Sequence, residues 1–226
     1  MSLLLNIDTA TEVASVCITN NGQTLAFAKN ENQKEHASFV HIAIESLLQK
    51  TGYKLADMEA FAVTSGPGSY TGLRVGMAAA KGFCYALSKP LITINTLEVM
   101  TKAAIDVCGK KEESFLFCPM IDARRMEVFT AIYNVHIESI ISPQPRILDE
   151  SSFSNYMISN KILFFGSGSN KFKQMQSNSN ALFADIKSDA RTLGQLSEES
   201  FYKRKFTNVS HSEPTYFKDF HSISKV

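Results

Sequence analysis

The 226-residue chain carries 23 Lys and Arg against 22 Asp and Glu, a net charge of +1, and 44% of its residues are hydrophobic. That is enough apolar material for one large or two small packed domains, and it excludes disorder over most of the length. It also excludes the strongly basic face of a protein that grips nucleic acid unaided. No run reaches the ~20 apolar residues of a membrane span, and Met1–Ile7 is no secretory signal, so a cytoplasmic location is expected.

The opening residues predict strands. Leu3 to Ile7 is an apolar run ending at Asp8, Val13 to Thr19 alternates, and Asn20-Asn21-Gly22 is a hairpin turn leading into a partner strand over Thr24 to Lys29. Phe39, Val40, Ala43, Leu47 and Leu48 recur at helical spacing, predicting a helix from Lys34 to Lys50 that stops at Gly52. Ala60 to Thr64 is a short strand. A glycine loop, Ser65-Gly66-Pro67-Gly68-Ser69-Tyr70, then opens a helix from Thr71 to Ser88 that Pro90 ends. A strand over Leu91 to Ile94 and a helix over Leu97 to Val107 follow. Strands alternating with helices imply an α/β layered fold.

The opening then recurs faintly. Asp122 follows Asp8 by 114 residues and Glu127 follows Glu12 by 115, each pair leading into a strand, here Phe129 to Tyr133. The echo suggests two related lobes. Pro143 and Pro145 interrupt the second. Lys161 to Phe165 predicts a strand ending in Gly166-Ser167-Gly168, Gln176 to Asn180 a loop, and Ala190 to Lys205 a helix. Lys203-Arg204-Lys205 reads as a solvated helix face. The tail Glu213-Pro214-Thr215-Tyr216-Phe217-Lys218 reads as extended.

Candidate chemistry is sparse. The glycine loop enters a helix N-terminus, where free N–H groups can hold an anion. It is no P-loop, because Leu73 follows Gly72, and no dinucleotide loop, because Thr71 stands where the third glycine belongs. The simpler reading is a tight turn setting strand against helix. His36 and His41 lie five residues apart, about 140° around a helix, so they do not share a metal. Cys17, Cys84, Cys108 and Cys118 form no CxxC pair and read as small buried hydrophobes. Asp8 and Asp122 end strands, where carboxylates serve metals or simply turns, and Arg124 and Arg125 stand ready for salt bridges or an anion. The helix after the loop repeats small residues at Gly72, Gly76 and Ala80, with Ala79 and Phe83 beside them. Interior glycine costs a helix about 1 kcal/mol against alanine, so the strip has a packing reason. It serves either the chain's own sheet or helix, or a second subunit.

Three segments carry a family resemblance: Leu5-Asn6-Ile7-Asp8-Thr9-Ala10, Ser65 to Arg74, and Ile121-Asp122-Ala123-Arg124-Arg125-Met126-Glu127-Val128. Together they resemble the TsaB, or YeaZ-like, family of the tRNA threonylcarbamoyladenosine system, and the tail resembles that family's Pro-x-Tyr-Leu-Arg ending, with Phe217 and Lys218 as departures. The resemblance implies a two-lobed fold of the actin/Hsp70/sugar-kinase type, with a first lobe over 1–110 and a small, degenerate second lobe over 111–226 whose tail can return to the first. It implies a subunit with no catalytic, cofactor or metal residues of its own. Such a subunit dimerises with the catalytic TsaD, works with the TsaE ATPase, forms a homodimer in isolation, and meets tRNA only through the complex. It implies an interface on the first-lobe helices, assigned to Phe39, Val40, Ala43, Leu47, Gly72, Gly76, Ala79, Ala80 and Phe83. A bulky residue at Gly76 would then weaken pairing and spare the fold. Two rivals share the fold. One is a stand-alone ATP-dependent phosphotransferase using Asp8 and the Gly166-Ser167-Gly168 turn; the other is a metallopeptidase.

Overall fold

The computed structural model describes residues 2–32, 35–109 and 112–217. Lys34, Lys218 and His221 lie outside them. The chain folds as β1 (Leu3–Asp8), β2 (Ala14–Asn20), β3 (Gln23–Asn30), α1 (His36–Thr51), β4 (Ala60–Thr64), α2 (Tyr70–Leu87), β5 (Leu91–Ile94) and α3 (Thr96–Cys108). A second series follows: β6 (Phe115–Asp122), β7 (Glu127–Tyr133), β8 (Ser139–Ile147), α4 (Ser154–Met157), β9 (Lys161–Phe165), α5 (Ser169–Lys173), β10 (Ala181–Ala184) and α6 (Ala190–Tyr202).

The strands form two five-stranded sheets with one wiring. The first runs β3-β2-β1-β4-β5 and the second, read from its other edge, β8-β7-β6-β9-β10. In each, a three-stranded antiparallel meander is extended by two parallel strands beside its first strand. This duplication is the two-lobed actin/Hsp70/sugar-kinase architecture. The second copy is degenerate where helices are concerned: α4 and α5 span four and five residues, against sixteen and eighteen for α1 and α2.

Alternation along β1 explains the layering. Leu3, Leu5 and Ile7 point into a core with Val40, Ala43, Leu47, Met77 and Ala80 of α1 and α2. Leu4 points the other way, into a core with Val99 of α3 and Leu193 of α6. Asn6 shares that face, and its buried amide is satisfied by Thr19 Oγ1, the Cys17 carbonyl and the Ser197 hydroxyl of α6. So α6 belongs to the first lobe although it follows the second sheet in sequence. Helix α3 joins the lobes: Val99 faces sheet one, while Leu97, Met100, Ala103 and Ala104 face Phe117, Ile121 and Phe165 of sheet two.

Several expectations change. The predicted interruption at Pro143 and Pro145 is strand β8, at a sheet edge where proline's missing N–H costs no ladder bond. The last helix stops at Tyr202, short of Lys205, because Arg204 turns to φ 52°.

Candidate functional site

A cleft of ≈ 540 Å³ opens between the lobes. Its walls include Ala10, Thr11 and Glu12 from the β1–β2 turn, Gly68 to Tyr70 from the glycine loop, Asp122 and Arg124 from the β6–β7 turn, and Ser167.

The two strand-end aspartates are related by the duplication but sit in opposite environments. Each accepts the backbone N–H two residues on: Ala10 to Asp8 Oδ1 at 3.1 Å and Arg124 to Asp122 Oδ1 at 2.6 Å. Asp8 is 1% exposed, and the Thr64 hydroxyl donates to its Oδ1 at 2.9 Å. Burial pushes its carboxyl up to about 6, against the pull of the Ala10 and Thr64 hydrogen bonds. Sealed beneath the turn, it does not face a ligand in the cleft. Asp122 is open to solvent and pairs with Lys171 Nζ at 2.7 Å. Partial burial raises its carboxyl, but the Lys171 bond and charge and the Arg124 N–H outweigh that and hold it below the usual range. Arg124 and Arg125 take positive φ values, 69° and 49°, in this turn, and Arg124 reaches the cleft wall.

The glycines meet the chain's own backbone. A Cβ on Gly68 would stand 2.1 Å from the Ala10 carbonyl oxygen, one on Gly72 2.0 Å from that of Thr9, and one on Gly76 2.4 Å from Thr9 Oγ1. Thr9 Oγ1 also donates to the Gly72 carbonyl at 2.7 Å, and the Ser69 N–H to Ala10 O at 2.7 Å. The loop and the start of α2 therefore clasp the β1–β2 turn. The Gly166-Ser167-Gly168 turn is likewise built in: a Cβ on Gly166 would meet Met120 O at 2.6 Å, one on Gly168 would meet Val128 Cγ1 at 2.6 Å, and Ser167 Oγ accepts the Asp122 N–H.

Most of the residues expected at the interface pack inside the chain itself. Val40, Ala43, Leu47, Gly72, Gly76, Ala79 and Ala80 are buried within the monomer, and only Phe39 and Phe83 are partly exposed. The packing reason for the Gly72–Gly76–Ala80 strip lies in the same chain: Gly72 and Gly76 make room for Thr9, and Ala80 packs in the core under sheet one. A bulky residue at Gly76 strikes Thr9 and Val63, so it attacks the fold.

The outward face of these helices carries other residues. On α2 it presents a second small-residue stripe, Ala78, Gly82 and Ala86, with Tyr85 beside it at 85% exposure. Among the described residues nothing lies within 4 Å of a Cβ built on Gly82. On α1, Ile42 is 67% exposed. An open, mainly apolar groove of ≈ 620 Å³ adjoins, lined by His41, Ile44, Leu48, Tyr53, Leu55 and Phe83. The spacing of 78, 82 and 86 was visible in the sequence, but which of two interleaved stripes faces out depends on where β1 and β4 lie.

The remaining candidates fall apart in space. Among the described residues no group of three or more His, Cys, Asp or Glu stands close enough to hold a metal ion. His41 meets Phe83 edge-on at 6.0 Å, and His136 pairs with Glu113 at 3.1 Å. Burial pushes the thiols of Cys17 to about 11 and of Cys84 and Cys118 to about 12, leaving them unreactive at neutral pH. No helix among the described residues is long and apolar enough to cross a membrane.

Comparison with known proteins agrees with this geometry. A family profile described as "TsaD: tRNA N6-adenosine threonylcarbamoyltransferase" matches residues 29–198. The tRNA threonylcarbamoyladenosine biosynthesis protein TsaB of Escherichia coli is 27% identical over 96% of this chain and 94% of its own length. Its Bacillus subtilis namesake is 27% identical over 76% of this chain and 74% of its own length. The structure of YeaZ from Pseudomonas aeruginosa superposes with a TM-score of 0.78 at 24% identity, covering 96% of this chain and 100% of that one. With this profile spanning most of the residues, and with two lobes wired alike around a clasped β1–β2 turn, the chain belongs to the threonylcarbamoyltransferase family, in its TsaB (YeaZ-like) branch.

Proposed function

We propose that this chain is a non-catalytic subunit of tRNA threonylcarbamoyladenosine synthesis, one that docks its α1–α2 face onto a TsaD-type catalytic partner and supports threonylcarbamoyl transfer there. The observation that carries the reading is the outer face of α1 and α2. Ile42 and Tyr85 stand exposed, His41 of α1 and Phe83 of α2 line the apolar groove, and Ala78, Gly82 and Ala86 leave room for another backbone to approach. The cleft supports the same reading. Asp8, the carboxylate a phosphotransferase of this fold would use, is buried and engaged with Ala10 and Thr64. The same face can serve a homodimer when the partner is absent. TsaE and tRNA are then met through the assembly.

The test is affinity between the full chain and the TsaD homologue of the same organism, measured by calorimetry. Ile42→Asp and Gly82→Leu are expected to weaken pairing at least about tenfold, the loss of roughly 1.4 kcal/mol. Pairing that survives both substitutions assigns the interface to another face. Turnover of Mg-ATP by the isolated chain would instead support the phosphotransferase.

A further inference from the structure

The residues after α6 cross from one lobe to the other. Thr207 joins the edge of sheet one, its N–H bonding the Leu91 carbonyl at 2.8 Å and its hydroxyl lying 2.8 Å from that of Thr93. Lys81 Nζ of α2 holds the Ser212 carbonyl at 2.8 Å. The Thr215 N–H donates to Ser65 O at 2.7 Å, laying the segment over the glycine loop, where Thr215 O comes within 2.7 Å of a Cβ built on Gly66.

Two aromatic residues then follow. Tyr216 packs on Tyr70 with ring centroids 5.1 Å apart, and its hydroxyl accepts from Arg74 Nε at 3.2 Å. The Arg74 guanidinium lies 4.0 Å over the Tyr70 ring and 5.9 Å from that of Tyr216. The next residue, Phe217, lies 5.7 Å from Phe129 of β7 in the second lobe. Tyr70 lines the interlobe cleft, and Phe129 pairs in register with Ile121, which lines the opposite wall. Adjacent residues of one segment thus touch the two lobes that flank the cleft.

We propose that residues 206–217 are a latch that ties the lobes across one flank of the cleft, with Tyr216 and Phe217 as its fastening points. Helix α3 joins the lobes through continuous cores and cannot let go without unfolding. Val209 anchors the segment on the first-lobe core, but beyond it the latch is held by discrete ring contacts and single hydrogen bonds, and Tyr216 is 40% exposed, so its far end can release while both cores stay intact. It also runs along the Arg74 and Lys81 side of α2, next to the Ala78–Gly82–Ala86 stripe, but the proposal holds whether or not that stripe is a docking face.

The test is hydrogen exchange followed by mass spectrometry on the full chain, comparing wild type with the double variant Tyr216→Ala/Phe217→Ala. Exchange is expected to rise about tenfold in the glycine loop and, decisively, in residues 121–129 of the second lobe, while peptides from β9 stay unchanged. Arg74→Ala, an exposed substitution outside the tail, is expected to move the same two regions in the same direction, and it decides the matter should the double variant lose its cooperative transition. If residues 121–129 exchange at the wild-type rate when the tail is released, the segment merely covers the first lobe and the latch is refuted.

Discussion

At the residue scale, Asp8 is the most informative position. The rise of its carboxyl from 3.8 to about 6 corresponds to about 3 kcal/mol of cost for carrying the charged form in the fold. Between about pH 4 and 6 the unfolded chain has released a proton that the folded chain keeps, so this group's contribution to stability falls as pH rises through that window. Asp8→Asn retains an oxygen for the Ala10 N–H and the Thr64 hydroxyl and carries no charge. It should raise stability above pH 7, by up to about 3 kcal/mol, and flatten the profile between pH 4 and 6. Urea midpoints measured at several pH values check this; parallel profiles for variant and wild type would contradict it. The glycines of α2 make a matched pair of experiments. Gly76→Leu drives a side chain into Thr9 and Val63 and should destabilise by about 1–3 kcal/mol or more. Gly82→Leu enters open space and removes an interior glycine, so its melting temperature should hold or rise, by the equivalent of about 1 kcal/mol, while partner affinity drops. One substitution six residues from the other thus separates folding from docking.

At the scale of elements, sequence periodicity was a good guide wherever an element was long and amphipathic. Helices α1, α2 and α3 and strands β1 to β5 follow from apolar spacing and the Asn21-Gly22 turn; the structure adds that Asn95, whose side chain accepts the Leu97 N–H at 2.9 Å, caps α3. The second lobe was harder to read because its helices are too short to show a period. Helix α5 has five residues and is held by Phe172, which is fully buried against Phe153, Phe164 and Phe183. Phe172→Ala should therefore cost about 3–5 kcal/mol, although the helix itself contributes little. Thermal denaturation gives the answer, and a loss under about 1 kcal/mol would mean the cluster closes around the gap. Strand β8 was hidden by its prolines, which a sheet edge tolerates and a central strand does not.

At the scale of the whole molecule, the duplication sets the cleft and the surfaces around it. Equivalent aspartates end β1 and β6, but the first is buried beneath the β1–β2 turn beside Thr64 of β4, while the second stays open and paired with Lys171. The lobes are joined by α3 and by the segment after α6, so opening of the cleft belongs to the assembly of both and not to either sheet. The sequence by itself determined the α/β class, the repeat, the glycine loop and the family, because these rest on local spacing and short motifs. It also placed small residues along α2. Only the tertiary structure decided which of two interleaved stripes packs inward on Thr9 and the first core and which faces out, that α6 packs on the first sheet, and that Tyr216 and Phe217 touch different lobes. The reason is physical: helical periodicity defines a face, but the partner of that face is set by contacts between residues far apart in the chain, as between Thr9 and Gly72 or Phe129 and Phe217.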